Sequence, residues 1–262
     1  MVIDFHTHCF PDMLAKKAIP MLSRLSGGLI PQTDGTLGGL KKHMKESGVD
    51  KSCVMNIATN PHQMKSVNNF AKEINSDSII SFGSIHPDAP DWEEELERIA
   101  DMGLKGIKLH PDYQGFMADD EKMKPIYKKI SELGLITLFH AGFDYGFEPP
   151  YHCMPDSALK ALAWFESPVI LAHWGGIDCG FEVIEKLCGL PVYFDTSFGY
   201  GSMPPIAQKR IIDKHGTDKL LFGSDCPWHS PAWEMRNLST LGLGDDELEK
   251  IYHLNAEKLL NI

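Results

Sequence analysis

The sequence predicts an α/β fold, a single-domain (β/α)8 TIM barrel with an extra helical segment after strand 1. Three observations lead there. Short runs rich in β-branched and aromatic residues recur eight times. Stretches with helical spacing lie between them, as in repeated parallel βαβ units. The eight units fill a chain of 262 residues, a length at which such barrels form one domain.

The strand runs fall at about 2–6, 51–57, 79–85, 104–109, 135–140, 168–173, 191–195 and 219–223. Helical spacing occupies about 38–47, 63–75, 92–101, 121–133, 156–166, 178–187, 205–214 and 245–260. Gly48, Gly103 and Gly134 each follow a helix and precede a strand, as C-terminal stops do. VILA at 169–172 is unbroken in apolar residues, as a strand buried on both faces requires. A doubly wound open sheet is the runner-up, but no glycine-rich phosphate loop follows the first strand. Residues 9–37 are too long for a bare loop, and PDMLAKKAIPMLSRL within them is expected to form a helix over the barrel mouth. The expected organisation is one barrel over 1–262, with 9–37 as a cover segment.

Composition narrows the function. Hydrophobic residues make up 43% and charged residues 23%, an ordinary globular balance. Lys plus Arg is 25 against 36 Asp plus Glu, a net charge of −11 that disfavours nucleic acid and anionic membranes as partners. No apolar run is long enough for a membrane span, and no basic-then-apolar leader is seen. The six cysteines form no C-x-x-C pair and read as reduced thiols of a cytoplasmic protein. The expected partner is a small-molecule substrate, and a homodimer is the base-rate oligomer.

Six of the 12 histidines lie at or just past strand C-terminal ends: His6, His8, His86, His110, His140 and His173. In this barrel those ends form the active-site face. His6 and His8 share a side of strand 1 by alternation. His140 ends LITLFH and His173 ends VILAH, so two further strands deliver imidazoles to the same mouth. Asp225 follows LLFGS at the end of strand 8, which neighbours strand 1 when the barrel closes. Imidazoles with one carboxylate suit one divalent metal, zinc first, with manganese or iron as alternatives. The bland alternative, a hydrogen-bonded strand-end residue, must hold by coincidence on strands 1, 5, 6 and 8.

Six motifs in order carry a resemblance: DFHTH at 4–8, GIKLHP at 106–111, FHAG at 139–142, AHWGG at 172–176, FGSDCPW at 222–228 and NAEKLL at 255–260. The whole chain resembles the amidohydrolase superfamily. Within it, the similarity is to the branch of aminocarboxymuconate-semialdehyde decarboxylase and related decarboxylases and hydrolases. The resemblance implies that His6, His8, His140 and Asp225 bind one metal, and that His173 is catalytic beside it.

Strand 4 is ambiguous. Lys108 and His110 have the same parity; the resemblance implies that Lys108 could match the carboxylated lysine (or glutamate) by which strand 4 bridges two metals in binuclear relatives, and the alternative reading is an internal hydrogen-bond donor or holder of a substrate anion. His110 reads as a substrate contact. Asp4 shares parity with His6 and reads as a buried support for the site. His86 reads as structural, and Cys9 and Cys226 as packing residues. His229 falls in the last loop beside Trp228. Phe10, Phe143, Tyr145, Trp174, Phe198, Tyr200 and Trp228 recur in the loops and are expected to enclose substrate.

The primary expectation is hydrolysis of an ester, lactone or amide through a metal-activated water, with His173 and Asp225 catalytic and His110, Lys108, Trp174, Phe143 and Trp228 binding substrate. The alternatives are nonoxidative decarboxylation of an aromatic or muconate-type acid, and a non-catalytic metal-binding barrel. A carboxylate substrate usually meets an arginine. Of the four arginines, Arg98 and Arg210 fall in helices away from the mouth, leaving Arg24 and Arg236. Asp144 and Glu148 add negative charge after strand 5. This balance favours hydrolysis of a neutral substrate.

Overall fold

The computed structural model describes all 262 residues. Eight strands form where the alternation placed them: β1 (Ile3–Thr7), β2 (Lys51–Met55), β3 (Ile79–Phe82), β4 (Gly106–Leu109), β5 (Ile136–Phe139), β6 (Val169–Leu171), β7 (Tyr193–Asp195) and β8 (Leu220–Leu221). All pairings are parallel, within one sheet of β1-β2-β3 and one of β4 to β8. Backbone hydrogen bonds span both seams. Gly83 N–H donates to Gly106 O (2.9 Å) and Lys108 N–H to Gly83 O (2.8 Å). Phe5 N–H donates to Phe222 O and Asp225 N–H to His6 O (both 2.7 Å), bringing β8 against β1.

The barrel helices are α2 (Leu37–Ser47), α3 (Met64–Ile74), α4 (Trp92–Asp101), α6 (Lys124–Glu132), α7 (Pro155–Leu162), α8 (Gly180–Lys186) and α10 (Pro205–His215). Between them lie the four-residue pieces α5 (Pro111–Gln114) and α9 (Gly199–Ser202). Gly48, Gly103 and Gly134 have φ of 73°, 74° and 64°, the left-handed conformation that ends a helix without steric cost. The segment after β1 contains α1 (Asp12–Leu25), as expected. Its base is pinned where Phe10 N–H donates to Gly35 O (2.8 Å) and Gln32 N–H to Pro227 O (2.7 Å).

Two elements differ from expectation. A helix, α11 (Pro231–Ser239), follows β8 where none was assigned. Pro at its first turn was the overlooked signal. The expected helix over 245–260 is broken into α12 (Asp245–Glu249), a π-helical turn (Lys250–Leu254) and α13 (Asn255–Leu260).

Ile3, Phe5, Cys53, Met55, Ile80, Phe82, Ile136, Leu138, Ile170, Ala172 and Leu221 form one buried cluster with Ala256 and Leu260 of α13. They come from six strands, β1, β2, β3, β5, β6 and β8, and form the inner lining of the barrel. Strand β1 departs from simple alternation. Asp4 pairs with Ser52, but Thr7 pairs with Val54, so one extra residue is inserted in β1. This bulge brings His6 onto the face that Phe5 already occupies. Asp4 and His6 therefore do not share a side, contrary to the parity argument.

Asn255 Nδ2 donates to Thr217 O and Leu220 O, both at 2.7 Å, tying α13 to the start of β8. Asn255→Ala leaves both buried carbonyls short of a donor and is expected to lower unfolding stability by about 1–3 kcal/mol, read by urea denaturation. His215, stacked on Phe194, accepts from Gly189 N–H at Nδ1 and donates from Nε2 to Val192 O. Burial, aided by the charge of Lys219, lowers its pKa from 6.5 to about 4. The folded state resists protonation that the unfolded chain accepts, so His215 contributes stability above pH 6.5 that is lost as pH falls towards 4. In His215→Gln the decline of Tm between those pH values is expected to be shallower.

Candidate active site

A cavity of about 490 Å³ opens at the C-terminal ends of the strands. His6, His8, Lys108, His110, His140, His173, Asp225 and Trp228 line it. Trp174 and Phe143, expected at the substrate, do not. The Trp174 side chain is fully buried and donates from Nε1 to Thr196 O (2.9 Å). Its backbone is left-handed, with φ 58°, which turns the ring away from the mouth. Phe143 packs on Tyr151 at 4.5 Å, and it is its carbonyl that faces His140. Phe10, Tyr145 and Phe198 line the cavity, and Tyr200 does not. Cys9 also lines it, with a thiol pushed up to about 12 by burial, in keeping with a packing role. His86 and His229 lie outside the lining.

Each imidazole is held from behind. His6 Nδ1 donates to Asp195 Oδ2 (2.9 Å). His8 Nδ1 donates to Met55 O (2.8 Å). His140 Nε2 donates to Phe143 O (3.2 Å). The Ser197 hydroxyl donates to Asp195 Oδ1, so it must accept from His173 Nδ1 (2.8 Å). These partners assign the tautomers. The lone pairs left over are His6 Nε2, His8 Nε2, His140 Nδ1 and His173 Nε2. Burial lowers the pKa of His6, further lowered by the Lys108 charge, and pushes His140 and His173 well below the usual range. All three rings are neutral at pH 7.

Lys108 Nζ, 3.2 Å from His6 Nε2, is a protein donor beside these lone pairs. His6 Nε2, His8 Nε2 and an Asp225 oxygen lie within 4.8 Å of one another. His8 Nε2 is 3.0 Å and His6 Nε2 3.3 Å from Asp225 Oδ1, yet that oxygen accepts no hydrogen bond. His140 Nδ1 and His173 Nε2 face each other at 3.1 Å as two acceptors. Burial alone would raise the Asp225 carboxyl, but the attraction of His6 and His8 holds it well below the usual carboxylate range. Imidazole lone pairs gathered around an unpartnered carboxylate oxygen fit a divalent cation. The expected four-residue set is brought together in part. His140 stands outside the His6–His8–Asp225 group and also approaches His110 and Asp144.

The backbone at these positions is unusual. His173 and Asp225 have φ of 62° and 65°, a conformation that costs a non-glycine residue free energy. Asp4 helps to hold the second of these turns, accepting from Ser224 N–H (2.9 Å) and from the Ser224 hydroxyl.

Lys108 is buried, with Nζ 3.2 Å from His6 Nε2. Burial lowers its ammonium to about 8, against the pull of Asp225 and Asp195. His110 stacks on His140 at 4.2 Å and faces Asp144 Oδ2 through Nε2 at 3.2 Å. No arginine lines the cavity, so neither Arg24 nor Arg236 reaches it. Asp195 and Ser197 were missed by sequence reasoning. Asp195 ends β7, the same strand-end position that singled out the histidines, but the search there was keyed to imidazoles.

A family model described as amidohydrolase (Amidohydro_2) matches residues 3–262, and the chain belongs to that family. A search of curated proteins finds no significant match. Among solved structures, a TIM-barrel protein from Bordetella bronchiseptica is similar at 19% identity and TM-score 0.78, over 99% of this chain and 98% of its own. 5-Carboxyvanillate decarboxylase from Sphingomonas paucimobilis is similar at 16% identity and TM-score 0.75, over 100% and 99%. A Pseudomonas putida protein provisionally assigned as a 2-pyrone-4,6-dicarboxylic acid hydrolase is similar at 15% identity and TM-score 0.68, over 99% and 97%. At these identities the likeness establishes the fold.

Asp195→Asn retains shape but weakens the acceptor behind His6 and Ser197. Such partners typically govern metal affinity by about 10–100-fold. A loss of that size is expected for Asp195→Asn in competition titrations with a zinc chelator, with the fold retained by circular dichroism.

Proposed function

We propose that this chain is a metal-dependent hydrolase of an ester, lactone or amide bond in a small molecule. One observation carries the reading: imidazole lone pairs from several strand ends turn towards an Asp225 oxygen that accepts no hydrogen bond, with the Lys108 ammonium beside His6. His6, His8, His140 and Asp225 would hold the cation, zinc by first expectation. When bound, a divalent metal supplies a Lewis acid and makes water acidic enough to yield hydroxide near neutral pH.

The remaining steps belong to the protein. His173 Nε2 accepts a proton from the attacking water as oxygen adds to the acyl carbon. Nδ1–H, Ser197 and Asp195 form a chain that stabilises the imidazolium so formed. The acyl bond to the leaving oxygen or nitrogen then breaks, and the proton passes to that atom. Asp225, kept ionised, is a second proton acceptor. Lys108, His110 and Trp228 line the space left for substrate.

The charges around that space favour a neutral substrate. It holds no arginine, and Asp144 presents a carboxylate. A second reading, nonoxidative decarboxylation, is supported by Lys108, whose buried ammonium could hold the carboxylate to be lost.

Elemental analysis and activity of three variants test the assignment. Asp225→Ala and His140→Ala are expected to lose metal. His173→Ala should keep it and lose about 10²–10⁴-fold in kcat. A His173→Ala protein without metal beside a metal-loaded Asp225→Ala protein would overturn these roles. Release of CO2 from aromatic or muconate acids, without lactone or ester hydrolysis, would replace the primary reading with the second.

A further inference from the structure

We infer that the cavity continues beyond the histidines into a slot for the uncharged, apolar tail of the substrate. The inference deepens the hydrolase reading and rests on it for the identity of the reacting group. The argument is the segregation of charge. Every charged or imidazole side chain of the lining comes from the strand ends and the loops that directly follow them: the histidines, Lys108, Asp144 and Asp225. The opposite wall is built by α1, the loop after β2 and α3, and contributes no charged side chain at all. Leu14, Met21 and Leu22 of α1 face the cavity together with Ile57, Val67 and Phe70. The charged residues of α1, Asp12, Lys16, Lys17 and Arg24, are exposed and lie outside the lining.

A second observation says that this wall lacks a covering. Leu14 and Met21 line the cavity yet remain 50% and 47% exposed. Buried apolar area stabilises, so a ligand that covers these side chains gains affinity from them. A carboxylate on the same end of the ligand would lose its hydration there and find only the neutral polar groups of Asn56, Thr59, Gln63 and Ser66 among the apolar ones, with no cation to offset the cost. The slot therefore selects a neutral ester or lactone bearing an alkyl or aryl group. The acyl carbon lies at the histidines and the apolar group lies between α1 and α3.

The test measures binding apart from turnover. Alkylcyclopentanones, which mimic a lactone ring but have no bond to hydrolyse, are titrated calorimetrically into the metal-loaded enzyme. The series carries methyl, butyl and heptyl tails, plus a heptyl-length tail ending in a carboxylate. Affinity is expected to rise about two- to fourfold per added methylene until the slot is full. The carboxylated tail is expected to bind at least about tenfold more weakly than its neutral counterpart. Met21→Arg, at a half-exposed position, should flatten the gradient and recover the carboxylated ligand. Affinity independent of tail length, or equal affinity for the carboxylated tail, would overturn the slot. Turnover of the matching alkyl lactones is read separately. A binding gradient without hydrolysis refutes the hydrolase reading and keeps the slot; hydrolysis without a gradient does the reverse.

Discussion

Four hydrogen bonds on the far side of four imidazoles hold the site in its present form. A neutral imidazole has one N–H and one lone pair, so a fixed acceptor behind one nitrogen decides what the other presents. Asp195, Met55 O, Phe143 O and Ser197 are those acceptors. Asp195 is central among them. Its two oxygens serve the His6 ring, the Ser197 hydroxyl and the backbone N–H of His173. Burial alone would raise the Asp195 carboxyl, but the attraction of His6 and the hydrogen bonds from His6, Ser197 and His173 outweigh it, so the net shift is downward and the acceptor stays ionised. Without that anchor, His6 and His173 would be free to turn their N–H groups inward, where a cation could not be met.

The barrel absorbs the strain this arrangement requires. His173 and Asp225 sit in left-handed backbone, and β1 carries an inserted residue just before its histidine pair. Each feature costs free energy locally. Each also aims a side chain that a regular strand would direct elsewhere. The β1 insertion is flanked by paired residues, Asp4 with Ser52 and Thr7 with Val54, and the apolar inner cluster beneath leaves the chain little room to relax. Rigid strand ends thus position the chemistry, as in other barrels of this type.

The charged and the uncharged walls of the cavity come from different parts of the chain. Histidines, aspartates and Lys108 come from the strand ends, whereas the apolar wall is supplied largely by α1, an addition to the barrel pattern. The structural neighbours include proteins named for polycarboxylated substrates, yet this cavity has no arginine. Family membership therefore restricts the class of chemistry more tightly than it restricts the substrate.

All eight strands and the helix of the cover segment were legible in the residues, because hydrophobic period and strand-end glycines are local signals. His6, His8, His110, His140, His173 and Asp225 were legible as neighbours, since a closed barrel brings every strand end to one rim. The side on which each residue faces was not. The inserted residue in β1 separates Asp4 from His6, and the left-handed turn at 173–174 buries Trp174 that local order had placed at the mouth. The helix α11 was also missed, its start marked only by the proline at its first turn. Sequence by itself determined the fold class and the rim on which the polar residues collect, because both follow from periodicity and topology. Only the tertiary structure decided which lone pairs face inward, since a tautomer depends on an acceptor brought from a distant strand.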